Sequence, residues 1–168
     1  MTRSRIEQSV LIALFAALAL IVNLAESAFP LPFPGMRLGL ANVFSFTALL
    51  MIGPYAAVFV SILRVALAFL IAGNPFALAC SAGGLLCSLP LVIALYRRFR
   101  RLFSVEAISV ASAVAFNVGQ MTVVVMITGE WSLFGYLPVL TAAAFVTGLA
   151  VGFVSRSLDA RLSVILSR

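Results

Sequence analysis

Residues 38–72 read LGLANVFSFTALLMIGPYAAVFVSILRVALAFLIA. In these thirty-five residues the only charge is Arg64. As one helix the run would be about 52 Å long, well beyond the ~30 Å hydrocarbon core of a bilayer. It must therefore fold back. Gly53-Pro54 is the break, because glycine followed by proline is a turn signal. Two segments result, 38–52 and 54–72. The whole chain agrees with this reading: 64% of its residues are hydrophobic and 10% charged, against about half and a quarter in soluble domains. One soluble core cannot bury that excess. The expected fold class is an all-α integral membrane protein.

Upstream lies Pro30-Leu31-Pro32-Phe33-Pro34-Gly35-Met36-Arg37. Three alternating prolines block helix and sheet ladders, since each lacks an N–H and fixes φ. The residues before them are pushed to extended conformations. Two roles fit this stiff loop, a lid over a site and a plain hairpin between helices. Before it, residues 9–25 form a first segment of about 25 Å, just enough to span. This stretch is expected to stay as a span rather than be cleaved as a leader, because no small-residue cleavage site follows it. Ser9, Ala13 and Ala17 make a small-residue stripe at spacing four. Such a stripe lets another helix approach closely, either inside the protein or from a partner.

Downstream, Gly73-Asn74-Pro75 is a second turn, and segments follow at 76–96, 104–128 and 133–154. The tail, 155–168, reads as a short amphipathic interfacial helix. Residues 1–168 are thus expected to form one domain of six transmembrane helices. All eleven basic residues are arginine. Nine of them fall in three groups that flank apolar stretches: Arg3 and Arg5; Arg97, Arg98, Arg100 and Arg101; Arg156, Arg161 and Arg168. That is the positive-inside pattern, so both termini are expected in the cytoplasm. The same pattern argues against nucleic acid as the partner of a chain with net charge +6.

Arg64 is the sharpest chemical signal. Insertion scales charge about 2.5–3.5 kcal/mol for arginine at mid-helix. Two roles fit it: a bidentate clamp for a carboxylate or phosphate, and a structural tie to carbonyls or to Glu26. Asn42, Ser81, Asn117 and Gln120 are expected beside it in the outer half of the bilayer, with Arg37 in the loop above. Ser81 and Ser88 share one face of their segment, and Asn117 and Gln120 share another. These groups either bind a ligand or bond helix to helix.

Several chemistries lack their residues. There is no lysine for a Walker A loop. There is no histidine for a Ser–His or Cys–His pair, and Asp159 is the sole aspartate. Cys80 and Cys87 stand two helical turns apart, too far to bridge, and read as small hydrophobes. No catalysis, metal or cofactor is expected.

The strings Pro34-Gly35-Met36-Arg37-Leu38-Gly39-Leu40-Ala41-Asn42, Ser81-x-Gly83-Gly84 with Ser88, and Asn117-x-Gly119-Gln120, with Arg64 and Gly73 between them, resemble the Gx transporter family. That family is often labelled heptaprenyl diphosphate synthase component I. Its architecture resembles the substrate-binding S component of energy-coupling factor (ECF) transporters. The resemblance implies a six-helix bundle in a bacterial plasma membrane with a loop over a small-molecule site. It implies partners too: a transmembrane coupling subunit docked on Ala13 and Ala17, and two ATPase subunits. The ligand is expected to be anionic or isoprenoid-related. Two other functions fit the chain. One is a non-catalytic membrane subunit tied to polyprenyl diphosphate or quinone synthesis or to a redox complex; the other is a stand-alone carrier.

Overall fold

The computed structural model describes residues 5–26 and 39–165. These form six α-helices and one short 3-10 helix: α1 Arg5–Glu26, α2 Asn42–Met51, α3 Pro54–Ala72, α4 Pro75–Phe99, α5 Val105–Thr128, the 3-10 turn Trp131–Tyr136, and α6 Leu137–Ile165. No strand occurs among the described residues. Five helices are long and apolar enough to cross a membrane; α2 is not.

Local chemistry sets the ends. Gly73 closes α3 in the left-handed region, at φ 62°, and its N–H donates to Phe69 O at 2.8 Å. Without a Cβ, glycine adopts that conformation at little cost. Asn74 then caps α4, its Oδ1 accepting from Ala77 N at 3.1 Å, and Pro75 fills the first helical position, where no N–H is needed. Ser104 caps α5 in the same way, accepting from Ala107 N at 3.1 Å.

Helices α4, α5 and α6 pack as an antiparallel layer with glycines at the contacts. A Cβ at Gly119 would come within 2.3 Å of the Gly83 carbonyl oxygen, so the α4 and α5 backbones touch. On the other side of α5, Cβ atoms at Gly148 and Gly152 would lie 2.7 Å from the Cα atoms of Val110 and Glu106. Small residues allow such approach where lipid gives helices no hydrophobic reason to associate.

Three boundaries differ from expectation. First, α2 is ten residues, about 15 Å long, not a span over 38–52. Ser45, Phe46, Thr47, Ala48 and Leu49 are buried in succession. A helix with no exposed face is enclosed by its neighbours. Those neighbours are α1, α3 and α6, and Ser155 Oγ donates to Val43 O at 3.1 Å. Second, the tail is not a separate helix. Helix α6 runs unbroken to Ile165, because no proline follows Pro138 and no glycine follows Gly152. Third, α6 starts at Leu137, not 133: Pro138 stands in its first turn, where proline is favoured, and residues 131–136 wind more tightly.

The outside of the bundle is apolar. Ile6, Val10, Leu14, Leu18 and Ile21 are exposed down one face of α1, as are Leu70, Leu86, Val146 and Phe153 on other helices. Polar groups are inside: Asn23, Glu26, Arg64, Ser81, Asn117 and Gln120 are all buried. That inversion of the soluble pattern suits lipid as solvent.

Candidate functional site

Arg64 sits mid-way along α3 with 2% of its surface exposed. Its chain neighbour Val65 packs with Leu85 and Phe116. Arg64 and Asn117 therefore lie at the same depth, on α3 and α5. Ser81 is about one turn from Leu85 along α4, and Gln120 one turn from Asn117 along α5. Ser81 and Asn117 carry buried oxygens, Oγ and Oδ1, without hydrogen-bond partners. Asn117 Nδ2 donates to Leu140 O at 2.9 Å, tying α5 to the start of α6. At the end of α1, the buried Glu26 Oε1 accepts from Leu40 N. The depth of Arg64 thus holds one fixed positive charge, amides and hydroxyls.

Asn42 is elsewhere. It lines a partly open cavity walled by α2 to α6, together with Ser45, Ser61, Ser88, Ser109, Ser112 and Thr147. The apolar part of the wall includes Phe46, Leu49 and Val92, the last two buried with Ile108 and Val151. Ser61 Oγ donates to Ser45 Oγ at 2.9 Å, and Thr147 Oγ1 donates to Ala143 O at 3.0 Å. The side chains of Asn42, Ser88, Ser109 and Ser112 make no hydrogen bond among the described residues. The cavity offers about 30 Å³ to water centres, room for one or two waters. Hydroxyls in an apolar interior need such partners. Of the residues singled out in the sequence, Asn42 and Ser88 line this space. Arg64, Ser81, Asn117 and Gln120 do not, and Arg37 and the rest of the proline loop lie outside the described residues.

Ser45, Ser61, Ser109, Ser112 and Thr147 escaped the reading of the sequence. They come from four helices, and nothing local says they converge. One signal was available: Ser109 and Ser112 are three apart on α5, the same spacing as Asn117 and Gln120.

On α1 the Ser9, Ala13 and Ala17 face is exposed, while Ile12, Ala16 and Ala19 pack inward. The small-residue stripe therefore does not join the internal contacts of α1. Cys80 packs with Met121, Val124 and Val125, and Cys87 is exposed.

A family model described as heptaprenyl diphosphate synthase component I matches residues 15–158. The chain belongs to that family. No curated protein and no solved structure matches it. The component I match takes in α2 to α5 whole and most of α1 and α6. Arg37, Asn42, Arg64, Ser81, Asn117, Gln120 and Ala17 fall inside it, and Ala13 just before it. This member of the component I family is a multi-pass, all-helical membrane protein.

Proposed function

We propose that the chain is the substrate-binding membrane subunit of an importer built like an ECF transporter, taking up a small molecule with an anionic or otherwise strongly polar head. The observation that carries this reading is Arg64, buried in the middle of a helix apolar enough to cross a membrane. Intramembrane ionisable residues are costly and mark substrate pathways by default. The outward stripe on α1 supports the reading, because it leaves a close-packing surface open to a coupling subunit. The residue inventory, with one aspartate and no histidine, fits a non-catalytic role.

The family description favours one rival, a non-catalytic membrane component of polyprenyl diphosphate synthesis. Co-purification separates the two. In mild detergent the importer subunit should bring down ATPase and coupling subunits; a soluble synthase partner instead would support the rival. Ala13→Leu and Ala17→Leu extend the test. Both side chains face outward, so each variant should insert and melt within about 0.5 kcal/mol of wild type yet lose its coupling subunit. Full retention of that subunit by both variants would remove α1 as the docking face.

The proposed orientation places the Arg97–Arg101 end and both termini in the cytoplasm, with the short, enclosed α2 carrying the chain back across between α1 and α3. Leu102 and Trp131 stand at opposite ends of α5 and are each 77% exposed. With Cys80 and Cys87 replaced by serine, cysteines at Leu102 and Trp131 should react from opposite sides of the membrane. Reaction of both from one side would overturn the orientation.

A further inference from the structure

The turn from α4 to α5 holds a basic cluster. Arg97, Arg98, Arg100 and Arg101 are all exposed and wall an open hollow together with Tyr96. Arg100 is held in place: its Nη1 donates to Tyr96 Oη at 3.0 Å, and its guanidinium lies 4.9 Å from the centre of the Tyr96 ring. The nearest acid along the chain, Glu106, is already engaged by Arg156, Nη1 to Oε1 at 3.1 Å. Beside the arginines, Leu102 and Phe103 are exposed, and Phe103 meets Phe99 edge-on with ring centres 6.3 Å apart.

Charge alone would orient the helices. It would not require a stacked, hydrogen-bonded arginine, or exposed leucine and phenylalanine in the same turn. We infer that this turn binds the phosphate of an anionic phospholipid headgroup, with Leu102 and Phe103 seated among the acyl chains beneath it. Arginine suits that ligand. Its planar fork matches phosphate oxygens bidentately, and it sheds water more readily than an ammonium group. The position suits it as well, since the turn joins two helices apolar enough to span, so its arginines lie at headgroup level. Four cations without a local carboxylate supply the complementary charge, and stacking on Tyr96 reduces the freedom Arg100 loses on binding.

Native mass spectrometry of the full chain in mixed micelles tests this. Phosphatidylglycerol and phosphatidylcholine are titrated separately. Wild type should retain phosphatidylglycerol preferentially. At about fivefold per arginine near a charged surface, Arg100→Gln should weaken retention about fivefold, and the quadruple glutamine variant by a hundredfold or more. The quadruple lysine variant keeps the charge that orients the chain but loses the forks, and should also bind at least about fivefold more weakly than wild type. Equal retention of both lipids by wild type would overturn the inference. So would unchanged preference in the glutamine variants. Lysine binding as tight as wild type would show diffuse charge rather than a site. Displacement of phosphatidylglycerol by millimolar inorganic phosphate would assign the hollow to a free anion instead of a lipid.

Discussion

Arg64→Leu is expected to cut small-molecule retention about 10–100-fold, the span of one charged hydrogen-bonded contact, a larger loss than any change in the stability of the ligand-free protein accounts for. The reasoning is a balance of costs. Arg64 is buried at mid-depth in α3, where a charge costs about 2.5–3.5 kcal/mol to insert. Leucine removes that cost. If the guanidinium serves a ligand, binding loses its clamp and falls further than apo stability does. If it serves the fold, as a tie to a buried acid such as Glu26, the same change strands the partner and costs about 3–5 kcal/mol. Arg64→Lys sharpens the comparison, because it keeps the charge and loses the planar fork. Lysine should restore apo behaviour without restoring full retention. A destabilised Arg64→Leu protein that still held its small molecule would place Arg64 in the fold and outside the site.

Gly119→Ala is expected to be the most damaging single-carbon change, costing about 3 kcal/mol or more, at or above the upper end of the range for overpacking. The added Cβ would stand 2.3 Å from the Gly83 carbonyl oxygen and 2.8 Å from Cys87 Sγ. The first of these is backbone and cannot turn aside, so α4 and α5 would have to separate. Phe116, packed against Gly84 and in contact with Val65 and Leu85, would move with them, as would the neighbouring Asn117. Gly135→Ala is the control, because nothing lies within 4 Å of its added carbon. Thermal melts of both variants in one detergent decide the matter. Equal melting temperatures would mean that the close contact of α4 and α5 contributes little.

The long helices were legible because their breaks are written in glycine and proline: Gly53-Pro54 and Gly73-Asn74-Pro75 both became the ends of α3. Helix α2 was harder. Hydropathy reports an apolar environment and does not say whether lipid or protein supplies it, so an enclosed ten-residue helix reads like a short span. The continuity of α6 was legible in principle, since nothing in Ser155–Ile165 breaks a helix; amphipathic composition suggested a separate piece. At the candidate site, the burial of Arg64 followed from its place in an apolar run. Asn42 lines the serine-lined cavity, whose wall also includes Ser61, one turn from Arg64 on α3. Which hydroxyls meet across helices depends on rotation about each helix axis, and periodicity within one helix cannot fix that between five.

The most direct test of a substrate-binding subunit is mass spectrometry of the small molecules that stay with the full chain after mild purification from its native membrane. The account predicts one polar or anionic small molecule, close to one per chain, present on wild type and absent from Arg64→Leu. A wild-type protein that carries no small molecule under conditions that keep it folded and joined to its partners would contradict it.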